Sequence, residues 1–295
     1  MINSAPPPPI LSVAVSSRAL FDFEEENEIF KTRGEDEYVR AQRARLDRIP
    51  KPGAAFALVQ KLLAFNAEEE LARVVVVSRN DPVTGLRVFR AVAANELKIE
   101  QGCFTRGAPS LPYLRSLGAH LFLSALAGDV KAALDAGVPA AHVVGGARTD
   151  VGDGVLRIAF DGDAVLFGDE SERVNQERGL EAFREQEKKM RDEPLSPGPL
   201  KPFLDALTRL RARLGEDSRR IRIALITARG APAHERPIRT LMDWGVAVDE
   251  AFFMNGESKT EFVKQFGADF FFDDNVKNVD GLEQGGHVPS GVMNE

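Results

Sequence analysis

The chain has 295 residues, 43% of them hydrophobic, and its 45 acidic side chains outnumber 38 basic ones, which gives a formal net charge of −7. This length can bury two cores of ordinary size, while the acidic balance argues against a surface that binds the phosphate backbone of nucleic acids. The single cysteine, Cys103, excludes a disulfide framework and a cysteine-rich metal site. We interpret Cys103 as a small, half-buried apolar residue.

The amino-terminal stretch, residues 1–10, contains four consecutive prolines, Pro6 to Pro9. It lacks the charged and apolar regions of a signal peptide, and no later apolar run approaches the length that crosses a bilayer. We expect a short extended lead-in without a core of its own. The sequence thus predicts a cytoplasmic protein with no membrane partner.

Predicted strands and helices alternate through the first half of the chain, up to a glycine-rich break at Gly145-Gly146. The predicted strands are Leu11–Val15, Val74–Val77, Leu97–Phe104, His120–Leu123 and His142–Val144. The predicted helical segments are Glu24–Arg48, Ala54–Phe65, Leu86–Ala93, Leu111–Leu117 and Asp129–Ala136. Strands separated by helices imply βαβ units and a parallel sheet.

The stretch Leu156–Glu170 carries Asp161-Gly162-Asp163 between two apolar runs. Asp-Gly between apolar runs is a strong signal for a tight β-hairpin. Alternatively, Leu156–Phe160 is a buried parallel strand that delivers two carboxylates to its carboxyl end, where open α/β sheets bind ligands. In that arrangement Asp161 could attack phosphorus and Asp163 could move a proton.

Polar residues follow two further apolar runs downstream, Ile221–Ile226 and Ala268–Phe272. Thr227 and the backbone N–H groups of Ala228-Arg229-Gly230, before Pro232 at a predicted first helical position, suit a phosphoryl group. Helix capping by Thr227 is an equal alternative.

Two charged features complete the downstream set. Lys259 opens an amphipathic helix, where a lysine is usually solvated. Asp273-Asp274 follows the run Ala268–Phe272 and indicates a cation site, the alternative being a surface turn.

The second half repeats the order of the first. Aligning Ser16 with Asp161 needs no gap up to Gly53 and Gly198, and it matches glycine and proline positions that punctuate structure. The positions corresponding to Asp161, Asp163, Lys259, Asp273 and Asp274 hold, in that order, Ser16, Arg18, Ser110, Ser124 and Ala125. Chemistry that needs carboxylates around a cation cannot use these residues. The sequence therefore predicts two tandem copies, the first catalytically inert, and Ser16-Ser17 weakens the hairpin interpretation.

Together, the residues resemble a known family. Asp161-x-Asp163-x-Val165, Thr227, Lys259 and Asp273-Asp274 resemble the four motifs of the haloacid dehalogenase (HAD-like) superfamily of phosphohydrolases. More narrowly, FDGDAVLFGDESE, TARGAPAHERPIRTL, DEAFF and FFDD are similar to the cytosolic 5'-nucleotidase type I family, as are SSRALFDFEEENEIF and SRNDP in the first half. The resemblance covers about residues 11–276 and implies an α/β, Rossmann-like parallel sheet of the HAD type.

The resemblance implies roles for these residues. Asp161 is the nucleophile that forms an aspartyl phosphate, and Asp163 protonates the leaving 5'-oxygen and then deprotonates water. Thr227 and Lys259 hold the phosphoryl oxygens. The implied cofactor is Mg²⁺, bound by Asp161, the Asp163 carbonyl, and Asp273, Asp274 or both; its ligand set is thus Asp161, Asp163, Asp273 and Asp274.

The resemblance also implies a nucleoside 5'-monophosphate substrate, of the AMP or IMP type. Candidate substrate-binding residues after Thr227 are Ala228, Arg229, His234, Glu235 and Arg236. Residues 168–214 are too long for a simple crossover and predict a small helical cap that closes over the site, the alternative being a solvated helical pair. The predicted domains are the lead-in 1–10, a degenerate half 11–150 and a catalytic half 151–295.

Two alternatives from other classes stay open. One is a phosphatase of the same superfamily that acts on another small phosphate, such as a sugar phosphate. The other is a catalytically silent nucleotide-binding protein. A regulatory nucleotide at the first half and a homo-oligomer are also left open, because fold alone does not determine function.

Overall fold

A computed structural model describes residues 8–145, 152–215, 218–278 and 290–292. Most of the proline-rich lead-in, the glycine-rich break after Gly145 and most of the carboxyl-terminal tail lie outside these ranges. The strands are β1 (Leu11–Val15), β2 (Ala72–Ser78), β3 (Gln101–Phe104), β4 (Leu121–Ser124), β5 (Ala140–Val144), β6 (Leu156–Phe160), β7 (Ile221–Thr227), β8 (Glu250–Phe253), β9 (Phe270–Asp273) and β10 (Ser290–Val292).

The helices lie between the strands in chain order. They are α1 (Ser17–Leu20), α2 (Glu24–Arg33), α3 (Glu35–Ala44), α4 (Phe56–Leu63), α5 (Pro82–Ala94), α6 (Leu111–Ser116), α7 (Ala127–Asp135), α8 (Glu170–Lys189), α9 (Lys201–Leu214), α10 (Glu235–Asp243) and α11 (Thr260–Phe266). In the described residues no helix is both long and apolar enough to cross a bilayer.

The described strands form one sheet in the order β3-β2-β1-β4-β5-β10-β9-β6-β7-β8. Pairing is parallel within each half, and the halves meet where β10 runs antiparallel to β5. The predicted parallel α/β sheet is confirmed. Because β6 pairs in parallel with both β7 and β9, the hairpin at Asp161-Gly162 is wrong.

Strand β6 lies at the centre of the second half for a physical reason. Its residues Leu156, Ile158, Ala159 and Phe160 are all fully buried, as expected for a strand that is covered on both faces and flanked by parallel neighbours. The carboxyl ends of β6, β7 and β9 consequently lie side by side. This edge of the sheet is where an open α/β fold places a ligand site.

Two helices pack across the boundary between the halves. Helix α9 contacts β1 of the first half, and α4 contacts β6 of the second. The Nζ atom of Lys61 on α4 donates to Asp269 Oδ1, just before β9, at 2.6 Å, and both side chains are buried. Helix α9 therefore belongs to the layer on the sheet, which leaves α8 as the part of residues 168–214 that can cover the strand ends.

The two halves bend their helical segments at matching glycines. Gly34 separates α2 from α3 with φ +82°, and Gly179 breaks α8 with φ +83°. The single segment predicted over Glu24–Arg48 is thus two helices, because this backbone conformation interrupts helical hydrogen bonding and favours glycine.

Prolyl-glycyl pairs also occupy matching places. A Cβ atom on Gly53 would lie 2.6 Å from the Ala19 carbonyl oxygen, and one on Gly198 would lie 2.5 Å from the Val165 carbonyl oxygen. Each glycine is required because the chain passes directly against the segment that follows the first strand of its half.

Several predicted boundaries differ from the structure, and two of these differences have a clear physical reason. Pro232 is not at the first position of a helix: residues 231–234 form a turn and α10 begins at Glu235, since a proline suits a turn as well as a helix start. The strand predicted over Leu97–Phe104 is only Gln101–Phe104, because β3 is an edge strand whose pairing with β2 starts at Gln101.

Candidate active site

Three predicted residues meet at the carboxyl ends of adjacent strands. Asp161 directly follows β6, Thr227 ends β7 and Asp273 ends β9. The Asp161 amide donates to the Phe272 carbonyl oxygen at 2.7 Å, which fixes its backbone beside β9. The sheet topology thus brings together side chains that lie between 46 and 112 residues apart in the sequence.

A buried lysine joins the two carboxylates. The Nζ atom of Lys259, the residue that caps α11, lies 2.7 Å from Asp161 Oδ1 and 2.7 Å from Asp273 Oδ2. All three side chains are at most 9% exposed. The amide of Asn278 donates to both oxygens of Asp273, at 2.9 and 3.0 Å. The alternative that Lys259 is merely solvated is therefore wrong.

The electrostatics of this cluster favour an additional cation. Burial raises the pKa of Asp161 well above its ordinary value, and the nearby Asp273 carboxylate raises it further against the opposing effect of Lys259. Burial and the Asp273 carboxylate also raise the pKa of Asp274 to about 6. The ammonium of Lys259 is shared between two carboxylates, so negative charge remains in excess.

Carboxylate oxygens of Asp161, Asp273 and Asp274 lie within 4.8 Å of one another. Hard divalent cations prefer oxygen ligands in such an arrangement, and a cation there would offset the repulsion that raises the pKa of Asp161 and Asp274. The residues present fit a divalent metal ion. Asp274 is half-buried and the other two carboxylates are buried, so the cluster opens on the Asp274 side.

Asp163 lies in the turn Gly162–Leu166, which follows Asp161 and contains a left-handed residue, Ala164 at φ +59°. Its carboxylate does not join the buried cluster. Instead, Arg229 Nε donates to Asp163 Oδ2 at 2.8 Å and Arg229 Nη2 donates to Oδ1 at 2.6 Å. This two-point contact is the geometry in which arginine binds a carboxylate most specifically.

Thr227 is buried next to the same turn. Its Oγ1 accepts a hydrogen bond from the Arg229 amide at 3.2 Å. A Cβ atom on Gly162 would lie 3.2 Å from Thr227 Oγ1, so a side chain between the two aspartates would crowd this hydroxyl.

The predicted substrate-binding residues divide into two groups. Arg229 and Arg236 are buried and both bind Glu187 of α8. Ala228 is exposed beside Thr227. His234 is half-buried, with its ring edge-on to Phe253 at 5.7 Å between centroids and its buried Nδ1 without a hydrogen-bond partner among the described residues.

Sequence reasoning missed Glu187, Ser171 and Asn278. Ser171 Oγ donates to Glu187 Oε1 at 2.8 Å, so both residues belong to the buried network around the two arginines. Glu187 is one of many charged residues in α8, and nothing local distinguishes it. The available signal was the internal alignment, which places Glu187 opposite Gln42 and Ser171 opposite Glu26, two more buried polar residues.

Comparison with known proteins gives the family. A sequence model of the 5'-nucleotidase family matches residues 5–295. The chain is 33% identical over 307 aligned positions to cytosolic 5'-nucleotidase 1B from Homo sapiens, an alignment that covers 98% of this chain and 50% of the relative. It thus spans about half the length of that curated relative, and no solved structure matched. With a family match over nearly its whole length, this chain belongs to the 5'-nucleotidase family.

Proposed function

We propose that this protein is a Mg²⁺-dependent 5'-nucleotidase that hydrolyses nucleoside 5'-monophosphates of the AMP or IMP type to a nucleoside and phosphate. The observation that carries the proposal is the position of Lys259 Nζ, 2.7 Å from both Asp161 and Asp273 at the ends of adjacent parallel strands. Family membership and the name of the human relative support the substrate class. That name also supports action in the cytoplasm.

The reaction proceeds in two steps on the chain's own residues. A carboxylate oxygen of Asp161 attacks phosphorus while the bond to the 5'-oxygen breaks, and Asp163 gives a proton to the leaving oxygen. Water then attacks the aspartyl phosphate, Asp163 takes its proton, and phosphate leaves. Thr227 and Lys259 hold the phosphoryl oxygens in both steps.

Asp161, Asp273, Asp274 and the carbonyl of Asp163 would hold Mg²⁺. Bound there, the ion supplies positive charge that offsets repulsion between a carboxylate nucleophile and a phosphate dianion. The raised pKa values of Asp161 and Asp274 support this assignment, because they reflect carboxylates that lack sufficient positive charge around them.

The first half is a degenerate copy of the second. Support comes from Gly34 and Gly179, which have nearly the same φ, and from Gly53 and Gly198, which make the same close approach. Ser16 occupies the place of Asp161, and its Oγ accepts hydrogen bonds from the amides of Ala125 and Ala19. A neutral hydroxyl so placed is neither a nucleophile for phosphorus nor a cation ligand of comparable strength. On this proposal residues 11–150 are the degenerate half and residues 151–295 the catalytic half.

Helix α8 forms the cap of the catalytic half. Its two segments lie over the strand ends, and Glu187 and Ser171 contact the arginines that follow β7. The cap excludes water from the aspartyl phosphate except for the attacking molecule. His234 and Ala228, next to the strand ends, are the residues that we assign to the nucleoside.

A cleft at the corresponding place in the first half favours a second role. The cleft, of about 380 Å³, lies between α2, α3 and the strand ends and is lined by Arg18, Arg79, Arg106, Phe30 and Tyr38. Its volume suits a nucleotide, with guanidinium groups for phosphate and an exposed ring for the base. Each arginine is paired with a carboxylate of the protein, so a phosphate would compete with Glu24, Asp129 and Glu35. Binding of ADP to protein in EDTA, lost in Arg79→Met, tests this role.

The experiment that tests the main proposal is phosphate release from nucleoside monophosphates and sugar phosphates, with Mg²⁺ or with EDTA. We expect hydrolysis of nucleotides only with Mg²⁺, none by Asp161→Asn, and wild-type rates from the matched Ser16→Ala. Preferential turnover of sugar phosphates would show that the substrate class is sugar phosphates and not nucleotides. Full activity of Asp161→Asn, or no turnover by the wild type, would contradict the catalytic assignment.

A further inference from the structure

Every nitrogen of the Arg229 side chain is already bound by the protein. Nε and Nη2 contact the two oxygens of Asp163, and Nη1 donates to Glu187 Oε2 and, at 3.5 Å, to the Ala233 carbonyl oxygen. The guanidinium also lies 5.4 Å from the centre of the Phe183 ring. Its side chain is only 2% exposed. In this arrangement Arg229 is not free to bind a substrate, which was its predicted role.

Glu187 is the centre of this network. One of its oxygens binds Arg229, and the other accepts hydrogen bonds from Arg236 Nη1 at 2.9 Å and Ser171 Oγ at 2.8 Å. Its side chain is fully buried. A buried carboxylate with this many donors is fixed in position, and it is part of α8, the helix that we assign to the cap.

The two-point contact from Arg229 fixes the Asp163 carboxylate without using all of its acceptor positions. A carboxylate has about four lone-pair sites, and Arg229 occupies one on each oxygen. The Asp163 side chain is 16% exposed whereas that of Arg229 is 2% exposed, so the unoccupied side of the carboxylate is the side open to a ligand.

We infer that Glu187 and Arg229 are positioning residues that place the Asp163 carboxylate for proton transfer, and that this placement depends on the seating of α8. This inference rests on the proposed function. Arg229 acts through Asp163, and Glu187 acts through Arg229. Neither is expected to touch the phosphate or the nucleoside.

When Asp163 is misplaced, the loss of hydrolysis rate should depend on the leaving group. With AMP, the phosphorus–oxygen bond breaks as Asp163 protonates the 5'-oxygen. With the AMP analogue that has a bridging 5'-sulfur, the phosphorus–sulfur bond breaks and the thiolate departs without needing a proton. A misplaced Asp163 should therefore slow the hydrolysis of AMP much more than that of the sulfur analogue. Loss of folded protein or a blocked site should instead slow the hydrolysis of both substrates equally.

The test compares kcat/KM for AMP and for the sulfur analogue in holoprotein with Mg²⁺, because kcat/KM reports only steps up to formation of the aspartyl phosphate. For Glu187→Gln we expect a fall of at least about tenfold with AMP, a part of the roughly 10²–10⁴-fold that general acid–base catalysis contributes, and less than about threefold with the analogue. Arg229→Gln should show the same selectivity.

Two further variants distinguish a misplaced Asp163 carboxylate from a general loss of protein stability. Glu26→Gln removes the buried carboxylate of the equivalent network in the first half, bound there by Arg87 and Arg45, and should leave both substrates unaffected. Ser171→Glu/Glu187→Gln copies the first half, with a carboxylate opposite Glu26 and an amide opposite Gln42. It should recover the Tm lost in Glu187→Gln, since Arg236 regains a partner, while the AMP-selective defect persists.

Equal losses for AMP and the analogue, or full recovery of AMP hydrolysis in the double variant, would overturn the inference and leave the proposed function intact. Absence of turnover by the wild type with both substrates would instead overturn the proposed function, and the inference with it.

Discussion

The two halves of the molecule place an arginine in the same position and give it different partners. Arg87 Nε donates to the Arg48 carbonyl oxygen at 3.1 Å, and Arg236 Nε donates to that of Glu193 at 2.8 Å. In both halves Nη1 of this arginine also forms an ion pair with a buried carboxylate. The scaffold thus keeps a buried guanidinium against α2 and α3 in the first half and against α8 in the second.

The carboxylate comes from a different helical segment in each half. In the first half it is Glu26 on α2, with Gln42 on α3 completing the contact to Arg87. In the second half it is Glu187 on the later segment of α8, with Ser171 on the earlier one. A buried cation requires a counter-charge, but the fold allows either segment to provide it.

The helical segment that carries the buried carboxylate also determines which other residues this carboxylate can contact. From its segment, Glu187 also binds Arg229, next to the end of β7. In the first half the corresponding Arg79 turns to the Gly107 carbonyl oxygen and to Asp129. The Glu26 network of the first half therefore does not include Arg79, whereas the Glu187 network of the second half connects α8 to Arg229, next to the end of β7.

Two buried lysines offer the strongest test of the difference between the two halves. Replacing Lys259 by Met leaves Asp161 and Asp273 without their shared cation, so we expect kcat to fall by about 10²-fold or more and stability to fall by about 3–5 kcal/mol. Phosphate release and urea denaturation measure the two effects.

Lys61→Met is the matched control, because Lys61 is equally buried and pairs with Asp269 at 2.6 Å between the halves. It should lose comparable stability while keeping the kcat of the folded molecules. A large fall of kcat in Lys61→Met would show that the boundary between the halves, and not the strand ends alone, controls catalysis.

Stabilisation by Mg²⁺ should distinguish the halves and depend on pH. The folded-state pKa of Asp274, about 6, lies above its ordinary value of 3.8 because of burial and Asp273. The contribution of Asp274 to the stability of the metal-free fold is therefore lost as pH rises from about 4 to about 6. Mg²⁺ at a hundred times its pH 7.5 Kd should restore about 2.7 kcal/mol at pH 7.5, and the same concentration should restore less at pH 5, as measured by thermal unfolding.

Asp274→Ala installs the residue that the first half has at Ala125. At pH 7.5 it should raise the Tm of the metal-free protein and remove most of the Mg²⁺ effect. An unchanged Mg²⁺ effect in this variant would place the cation elsewhere.

The close approaches at Gly53 and Gly198 should be equally intolerant of a side chain. A Cβ atom would come within 2.6 Å of a backbone oxygen in each case, and backbone cannot move aside cheaply, so Gly53→Ala and Gly198→Ala should each cost about 1–3 kcal/mol. Chemical denaturation measures both. A neutral Gly53→Ala beside a costly Gly198→Ala would show that the halves differ in backbone packing as well as in side chains.

The smallest effects concern the glycines that bend the helical segments. Nothing lies within 4 Å of a Cβ atom on Gly34 or Gly179, but both have φ near +82°. Alanine at either position should cost about 1 kcal/mol, through backbone strain alone. In Gly179→Ala a fall of kcat beyond the loss of folded protein would show that the bend in α8 itself sets the position of Glu187.

The sequence predicted well what is local. Apolar runs such as Leu156–Phe160 mark strands, because burial on both faces leaves a continuous pattern. Asp161, Thr227 and Asp273 were correctly placed at strand ends, since the position of a residue after such a run is visible in one dimension. Element boundaries were less accurate at Gly34 and Pro232, where one residue type suits more than one conformation.

The sequence by itself determined the alternation of strands and helices, the parallel sheet and the acidic residues at its edge. Tertiary structure alone decided that β10 joins the halves through β5, that α9 packs on β1, and that Arg229 binds Asp163 and Glu187. The physical reason is that strand periodicity is written in neighbouring residues, whereas the partner of a buried charge depends on which distant segments the fold brings within hydrogen-bonding distance.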